Sequence, residues 1–146
     1  MATLRRLCYD SYMHPFEQTI TIHFRQTDMA GIAYFNEAFN IFHDVYEKWV
    51  VHYFGSCEGW FAHPQWAVPL KHVECDYHAP LLPFQNYTVH LVVGDISQKT
   101  FQLRTEILNS QHTCATVTTT HIFMDKKSQK AIALPEDVRI QLSSLL

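Results

Sequence analysis

One acid is placed to do chemistry. Asp28 lies in the run Thr27-Asp28-Met29-Ala30-Gly31-Ile32-Ala33-Tyr34-Phe35-Asn36, between an alternating stretch and a long amphipathic one. That position puts a carboxylate in a strand-to-helix loop, just ahead of a helix N-terminus. The first N–H groups of a helix have no partner within it and can polarise a carbonyl oxygen. A carboxylate held nearby can attack that carbonyl or activate water against it. Carboxylates are charged at neutral pH, as both roles require. Gly31 lets backbone and substrate approach closely. The competing reading makes Asp28 a turn residue that only accepts hydrogen bonds from loop amides.

Other chemistries find little footing. Gly55-Ser56-Cys57-Glu58-Gly59 places serine directly after glycine and so lacks the spacing of a Gly-x-Ser-x-Gly nucleophile elbow. No phosphate loop, dinucleotide fingerprint or His-Glu-x-x-His pair is present. The ten histidines are scattered, and none stand four apart on the expected helix, so no metal is expected. Cys8, Cys57, Cys75 and Cys114 form no Cys-x-x-Cys pair and read as reduced thiols of a cytosolic protein. Lys126, Lys127 and Lys130 read as a solvated turn, with contact to an anion as the alternative.

The elements that must hold Asp28 follow from periodicity. Residues 17–25 alternate, with Ile20, Ile22 and Phe24 on one face, which predicts a half-buried strand. From Phe35 the large apolar residues recur at 35, 39, 42, 46, 49 and 53, a helical stripe that Ala38, Ile41, Val45 and Val50 widen. Asn36 is the expected N-cap, Glu37 suits the positive end of the helix dipole, and Gly55 is a natural C-cap. Asp44 and Lys48 belong on the wetter side.

Residues 55–65 read as a connection. Strands are expected over 66–78 (with Pro69 marking an edge or bulge), 86–94, 100–108 and 112–124. The linker between the middle two is hairpin-sized. Pro135 opens a short C-terminal helix at its first position. An antiparallel sheet curling around one apolar helix satisfies both patterns, giving an α+β fold.

With 146 residues, the chain reads as one domain over 1–146, with an N-terminal arm at 1–16 and a C-terminal helix at 135–146. A net charge of −3 without a Lys/Arg cluster argues against a nucleic-acid partner. The absence of a leading apolar segment or an 18-residue apolar span predicts a soluble, cytoplasmic protein with no membrane partner.

The Asp28 run resembles the Thr-Asp-x-x-Gly-x-x-Tyr-x-x loop of hot-dog-fold acyl-CoA thioesterases, in the branch of 4-hydroxybenzoyl-CoA thioesterase. The likeness continues through the helix to Trp49, and the order of elements agrees over roughly residues 17–125. Ala67-Val68-Pro69-Leu70-Lys71-His72 and Ala133-Leu134-Pro135-Glu136, with Phe35-Asn36 and His43-x-x-Tyr46-Glu47-x-Trp49, resemble the 1,4-dihydroxy-2-naphthoyl-CoA hydrolases of phylloquinone and menaquinone synthesis.

The resemblance implies the hot-dog fold and hydrolysis of an aromatic acyl-CoA without a cofactor. It makes Asp28 the catalytic carboxylate, as nucleophile or general base. It makes the Phe35 backbone N–H the donor to the thioester oxygen, and assigns Gly31 and Tyr34 to the loop that shapes the acyl pocket. It implies a dimer or tetramer with sites at subunit interfaces and coenzyme A lying across the surface. Lys99, Arg104, Lys126 and Lys127 are then candidates to meet its phosphates, and nothing in the sequence selects among them.

Two departures narrow the likeness. A related bacterial branch carries histidine directly after the tyrosine, where this chain has Phe35, an aromatic that suits an aromatic acyl group. Another branch uses a glutamate on the central helix, which Glu37 or Glu47 could imitate, but Asp28 makes that unnecessary. Three alternatives stay open. One is a broader thioesterase for short acyl-CoA or carrier-protein thioesters, and another is a non-catalytic module that binds acyl-CoA. The third, a hot-dog dehydratase, is disfavoured because those sites pair histidine with a carboxylate and no histidine adjoins this loop.

Overall fold

The computed structural model describes residues 15–146. The N-terminal arm, with Cys8 and its two arginines, lies outside the described residues up to position 14. Strand β1 (Phe16–Thr21) leads through a 3-10 turn (Phe24–Gln26) and the Asp28 loop into helix α1 (Glu37–Phe54). Helix α2 (Cys57–Phe61) follows, then β2 (Trp66–Ala67), β3 (Leu70–Tyr77), β4 (Asn86–Ile96), β5 (Thr100–Asn109), β6 (His112–Ile122), β7 (Met124–Asp125) and α3 (Glu136–Ser143). Five strands form one antiparallel sheet in the order β1-β4-β5-β6-β3, and β2 pairs with β7 separately.

The core lies between α1 and one sheet face. The helix buries Ala38, Ile41, Phe42, Val45, Tyr46, Trp49 and Val50. Against them stand Val89, Leu91 and Val93 of β4, Phe101, Leu103 and Ile107 of β5, and Ala115 and Val117 of β6. Cross-strand register puts Val89 opposite Ile107 and Leu103 opposite Thr119, so one face of every central strand points at the helix. Burying a side chain of this size contributes about 1.5–3 kcal/mol, which makes the α1 stripe the main anchor of the fold. Helix α3 closes the far end of the sheet, where Arg139 donates to the Ser97 and Gln98 carbonyls at 2.9 Å each.

Several elements depart from their expected form. The first strand stops at Thr21, and Phe24, expected on its buried face, is 73% exposed in the 3-10 turn. Capping overrides the alternation here, because the Gln26 side chain accepts from the His23 N–H at 2.7 Å and folds the chain back. The connection at 55–65 contains α2, whose N-cap Ser56 accepts from the Gly59 N–H at 3.0 Å while Trp60 is buried.

The expected strand at 66–78 divides at Val68-Pro69 into β2 and β3, with a bulge between Leu70 and His72. In β3 only Cys75 is partly buried; Leu70, Val73 and Tyr77 are exposed, because among the described residues this strand is an edge of the sheet. Asn36 is the N-cap position, but its side chain makes no capping bond. Phe35, expected to begin the helical stripe, precedes the helix and is exposed. Pro135 stands at the N-cap of α3 rather than at its first helical position. Among the described residues no helix is long and apolar enough to cross a membrane.

Candidate active site

The Asp28 loop is a tight, fully bonded turn. The Asp28 N–H donates to the Ile32 carbonyl at 2.9 Å, and the Gly31 N–H donates to the Asp28 carbonyl at 3.0 Å. Gly31 has φ +78°, the left-handed region that glycine enters without steric cost. The Ala30 N–H donates to Asp28 Oδ1 at 2.8 Å, as the turn reading anticipates. Asp28 Oδ2 accepts from no described residue, so half of the carboxylate remains available.

Two anchors fix this loop to the helix and the sheet. Gln26, almost wholly buried, donates from Nε2 to Glu37 Oε2 at 2.9 Å, and its carbonyl accepts from the Tyr34 N–H at 2.9 Å. The Ala33 N–H donates to the Leu81 carbonyl at 2.8 Å, joining the loop to the segment that follows β3. The Glu37 N–H donates to the Tyr34 carbonyl at 2.9 Å, but no described residue accepts from the Phe35 N–H. Tyr77 Oη donates to the Phe35 carbonyl. Burial first, and the Cys75 thiol second, raise the Tyr77 phenol above its ordinary range, so the hydroxyl stays protonated and can serve as that donor.

A cleft of about 640 Å³ opens between the two walls. One wall is Asp28 with residues 32–35, and the other is residues 77–81. Most of this lining is apolar or aromatic, and Tyr34 and Phe35 stay substantially exposed at its rim. A free carboxylate oxygen and an unpartnered N–H beside an apolar cleft can bind a carbonyl compound and bring a nucleophile to it. Among the described residues no three His, Cys, Asp or Glu side chains converge as a metal site would require.

The structure brings Asp28, Tyr34 and Phe35 together in the lining, while Gly31 shapes the turn behind them. It does not bring the four basic candidates to this cleft. Tyr77 at the cleft pairs with Ala115, whereas Thr100, next to Lys99, pairs with Ile122, about 24 Å further along β6. Lys126 and Lys127 follow β7 at that same far end. Arg104 is mid-strand and ion-paired with Glu106 at 2.8 Å.

Tyr77, His78 and Leu81 were not among the residues expected at the site. Their region showed only as a strand ending before Pro80, and sequence spacing carries no sign that it returns to a loop some fifty positions earlier. Gln26 was likewise missed, although a glutamine three residues after His23 fits a reciprocal capping pattern.

The sequence pattern of the thioesterase-like superfamily matches residues 8–142. The chain belongs to that superfamily. Among curated relatives, it is 25% identical over 123 residues to a 1,4-dihydroxy-2-naphthoyl-CoA hydrolase of Nostoc punctiforme, covering 84% of this chain and 83% of the relative. It is 27% identical over 131 residues to the enzyme of that name from Microcystis aeruginosa, covering 90% and 94%. The crystal structure of a 1,4-dihydroxy-2-naphthoyl-CoA thioesterase from Synechocystis superposes with a TM-score of 0.80 at 25% identity, covering 89% of this chain and 96% of that one. The superfamily's hot-dog fold is the α+β architecture described above, with an antiparallel sheet around one long helix.

Proposed function

We propose that this chain is a thioester hydrolase whose substrate is an aromatic acyl-CoA, with 1,4-dihydroxy-2-naphthoyl-CoA the best match. The observation that carries the reading is the pairing of Asp28, with one oxygen free, and the unpartnered Phe35 N–H in the lining of one largely apolar cleft. The names of the relatives from Nostoc, Microcystis and Synechocystis support the acyl group.

In this reading the thioester oxygen accepts from the Phe35 N–H, and the acyl group lies over the apolar lining. Charge gathers on that oxygen as the carbonyl carbon is attacked, and a donor fixed in advance stabilises it without reorganisation. Asp28 Oδ2 attacks directly, expelling the coenzyme A thiolate and leaving a mixed anhydride that water returns to acid and carboxylate. Alternatively, it removes a proton from the attacking water. Either route converts thioester and water into carboxylic acid and thiol, and a thiolate leaves without help from a general acid.

The same reading includes the 4-hydroxybenzoyl-CoA thioesterase branch, a cytoplasmic setting that suits the free thiols of Cys57, Cys75 and Cys114, and a dimer or tetramer. Among the described residues β3 is a sheet edge, with Tyr77 exposed at the cleft and Val73 and Leu70 exposed further along it, and this supports assembly through that edge. Lys99, Lys126 and Lys127, remote from the cleft of their own subunit, are then offered to coenzyme A on a partner's.

A second reading has one observation in its favour. The bond from the Ala30 N–H to Asp28 Oδ1 is what a structural turn residue makes, which fits a module that binds acyl-CoA without turnover. Thiol release from a panel of acyl-CoAs separates these readings. The panel spans hydroxynaphthoyl, hydroxybenzoyl, phenylacetyl and short to long aliphatic groups. Fastest turnover of the aromatic thioesters supports the proposal. Preference for aliphatic groups overturns the substrate assignment, and binding without turnover of any member favours the second reading.

A further inference from the structure

Four residues with polar side chains belong to the cleft lining: Asp28, Tyr34, Tyr77 and His78. Two are already engaged, Asp28 Oδ1 by the Ala30 N–H and the Tyr77 hydroxyl by the Phe35 carbonyl. The His78 imidazole makes no side-chain hydrogen bond to any described residue, and its place in the cleft follows from the backbone. The His78 and Ala79 N–H groups both donate to the Cys114 carbonyl, at 2.7 and 3.1 Å. Two successive donors on one acceptor break the strand ladder, and such a kink re-aims the side chains beside it. Tyr77 and His78, which a regular strand would send to opposite faces, both belong to the cleft lining. The chain then returns along residues 79–81 to the Ala33–Leu81 bond, so His78 belongs to the wall across from Asp28.

From this arrangement we infer that His78 is a specificity residue, which recognises a hydroxyl group on the aromatic ring of the acyl substrate. This rests on the aromatic thioesterase reading and deepens it. With the carbonyl end of the substrate held at Asp28 and Phe35, we place the ring against the opposite wall of the cleft. That wall offers Ala79, Pro80 and Leu81 as apolar surface and the His78 ring as a hydrogen-bonding group. An imidazole can accept from a phenolic O–H at one nitrogen or donate to its oxygen at the other. His78 is exposed in the open cleft, and a bound aryl ring would cover it from water. An unsubstituted ring would then leave the covered imidazole unpaired, and a site holding such a group discriminates against the ligand that lacks the match.

The test compares paired thioesters whose hydroxyl points away from the carbonyl, 4-hydroxybenzoyl-CoA with benzoyl-CoA and 4-hydroxy-2-naphthoyl-CoA with 2-naphthoyl-CoA. They are assayed on the native chain, His78→Phe, His78→Gln and Tyr34→Phe, after circular dichroism has shown each variant folded. The native chain should prefer the hydroxylated member of each pair about tenfold in kcat/KM. His78→Phe should bring that ratio near one by losing activity on the hydroxylated member alone, and His78→Gln should restore part of it. An unchanged ratio in His78→Phe overturns the inference while leaving the thioesterase reading intact. So does an equal loss on both members, or a ratio that collapses only in Tyr34→Phe. If the native chain releases thiol from no aryl-CoA, the functional reading itself falls and the inference with it.

Discussion

Acidification from pH 7 to pH 5 should cost the folded protein about 2 kcal/mol through a single buried imidazole. His121 of β6 has no exposed surface and lies against α1, with Phe42 and Tyr46 beside it and Phe101 stacked on it at 4.7 Å and 7°. Its Nε2 lies 2.9 Å from Thr119 Oγ1, and its Nδ1 has no partner. Burial, with a smaller contribution from His43, lowers its pKa to about 3 from the ordinary 6.5. The nearby titratable groups on α1 offer no compensating negative charge, since burial holds the Tyr46 phenol protonated.

The unfolded chain therefore takes up a proton near pH 6.5 that the folded chain refuses until about pH 3. The stabilisation is complete above pH 6.5, falls as pH drops through that value, and levels off below about pH 3. Each pH unit inside the window costs about 1.4 kcal/mol, and the whole window about 5 kcal/mol. His121→Leu keeps similar volume, and Thr119 Oγ1 retains the Leu103 carbonyl as an acceptor. Urea unfolding of both chains at pH 7, 6 and 5 isolates the effect, because the other histidines contribute to both. The native chain should lose about 2 kcal/mol more than the variant between pH 7 and pH 5. Parallel losses would refute the reasoning and show that His121 accepts its proton in the folded state.

Three further outcomes follow from the site and its surroundings. Tyr77→Phe removes the hydroxyl that holds the Phe35 carbonyl and should lower kcat about fivefold with little change in KM, read by steady-state thiol release. Gly31→Ala meets no atom within 4 Å but must adopt φ +78°, so urea unfolding should show a loss of about 1–2 kcal/mol from backbone strain alone. Val73→Lys places a charge on the exposed edge strand and should shift the chain toward monomer in sedimentation velocity, an unchanged mass ruling out assembly through β3.

The long helix was legible because its signals agreed: spacing near 3.6, an acid in the first turn and Gly55 at its end, where φ is +94°. The central strands were legible for the same reason, with Tyr87, Val89, Leu91 and Val93 buried as their alternation requires. Alternation does not say whether a strand is central or at an edge, so the exposure of Val73 and Tyr77 could not be read from it. Nor did it show that Gln26 would cap His23 and carry Phe24 out to solvent. The loop half of the site was legible because Asp28, Tyr34 and Phe35 are neighbours in sequence. The other half, Tyr77 and His78, arrives through strand pairing and a local kink, which depend on contacts between distant segments. The basic residues show the same limit, since Lys99 and Lys126 are plausible phosphate contacts by type and lie at the wrong end of their own sheet.

The central claim is that Asp28 acts on the thioester and does more than shape its loop. Asn at position 28 keeps an oxygen for the Ala30 N–H, so Asp28→Asn preserves the turn while removing the charge. The decisive measurement is kcat for thiol release from the best aryl-CoA by the native chain and by Asp28→Asn. The account predicts a loss of about a hundredfold or more, roughly 3 kcal/mol of transition-state stabilisation, with KM nearly unchanged. A variant within twofold of the native rate would contradict it and leave Asp28 as a turn residue beside a cleft whose chemistry lies elsewhere.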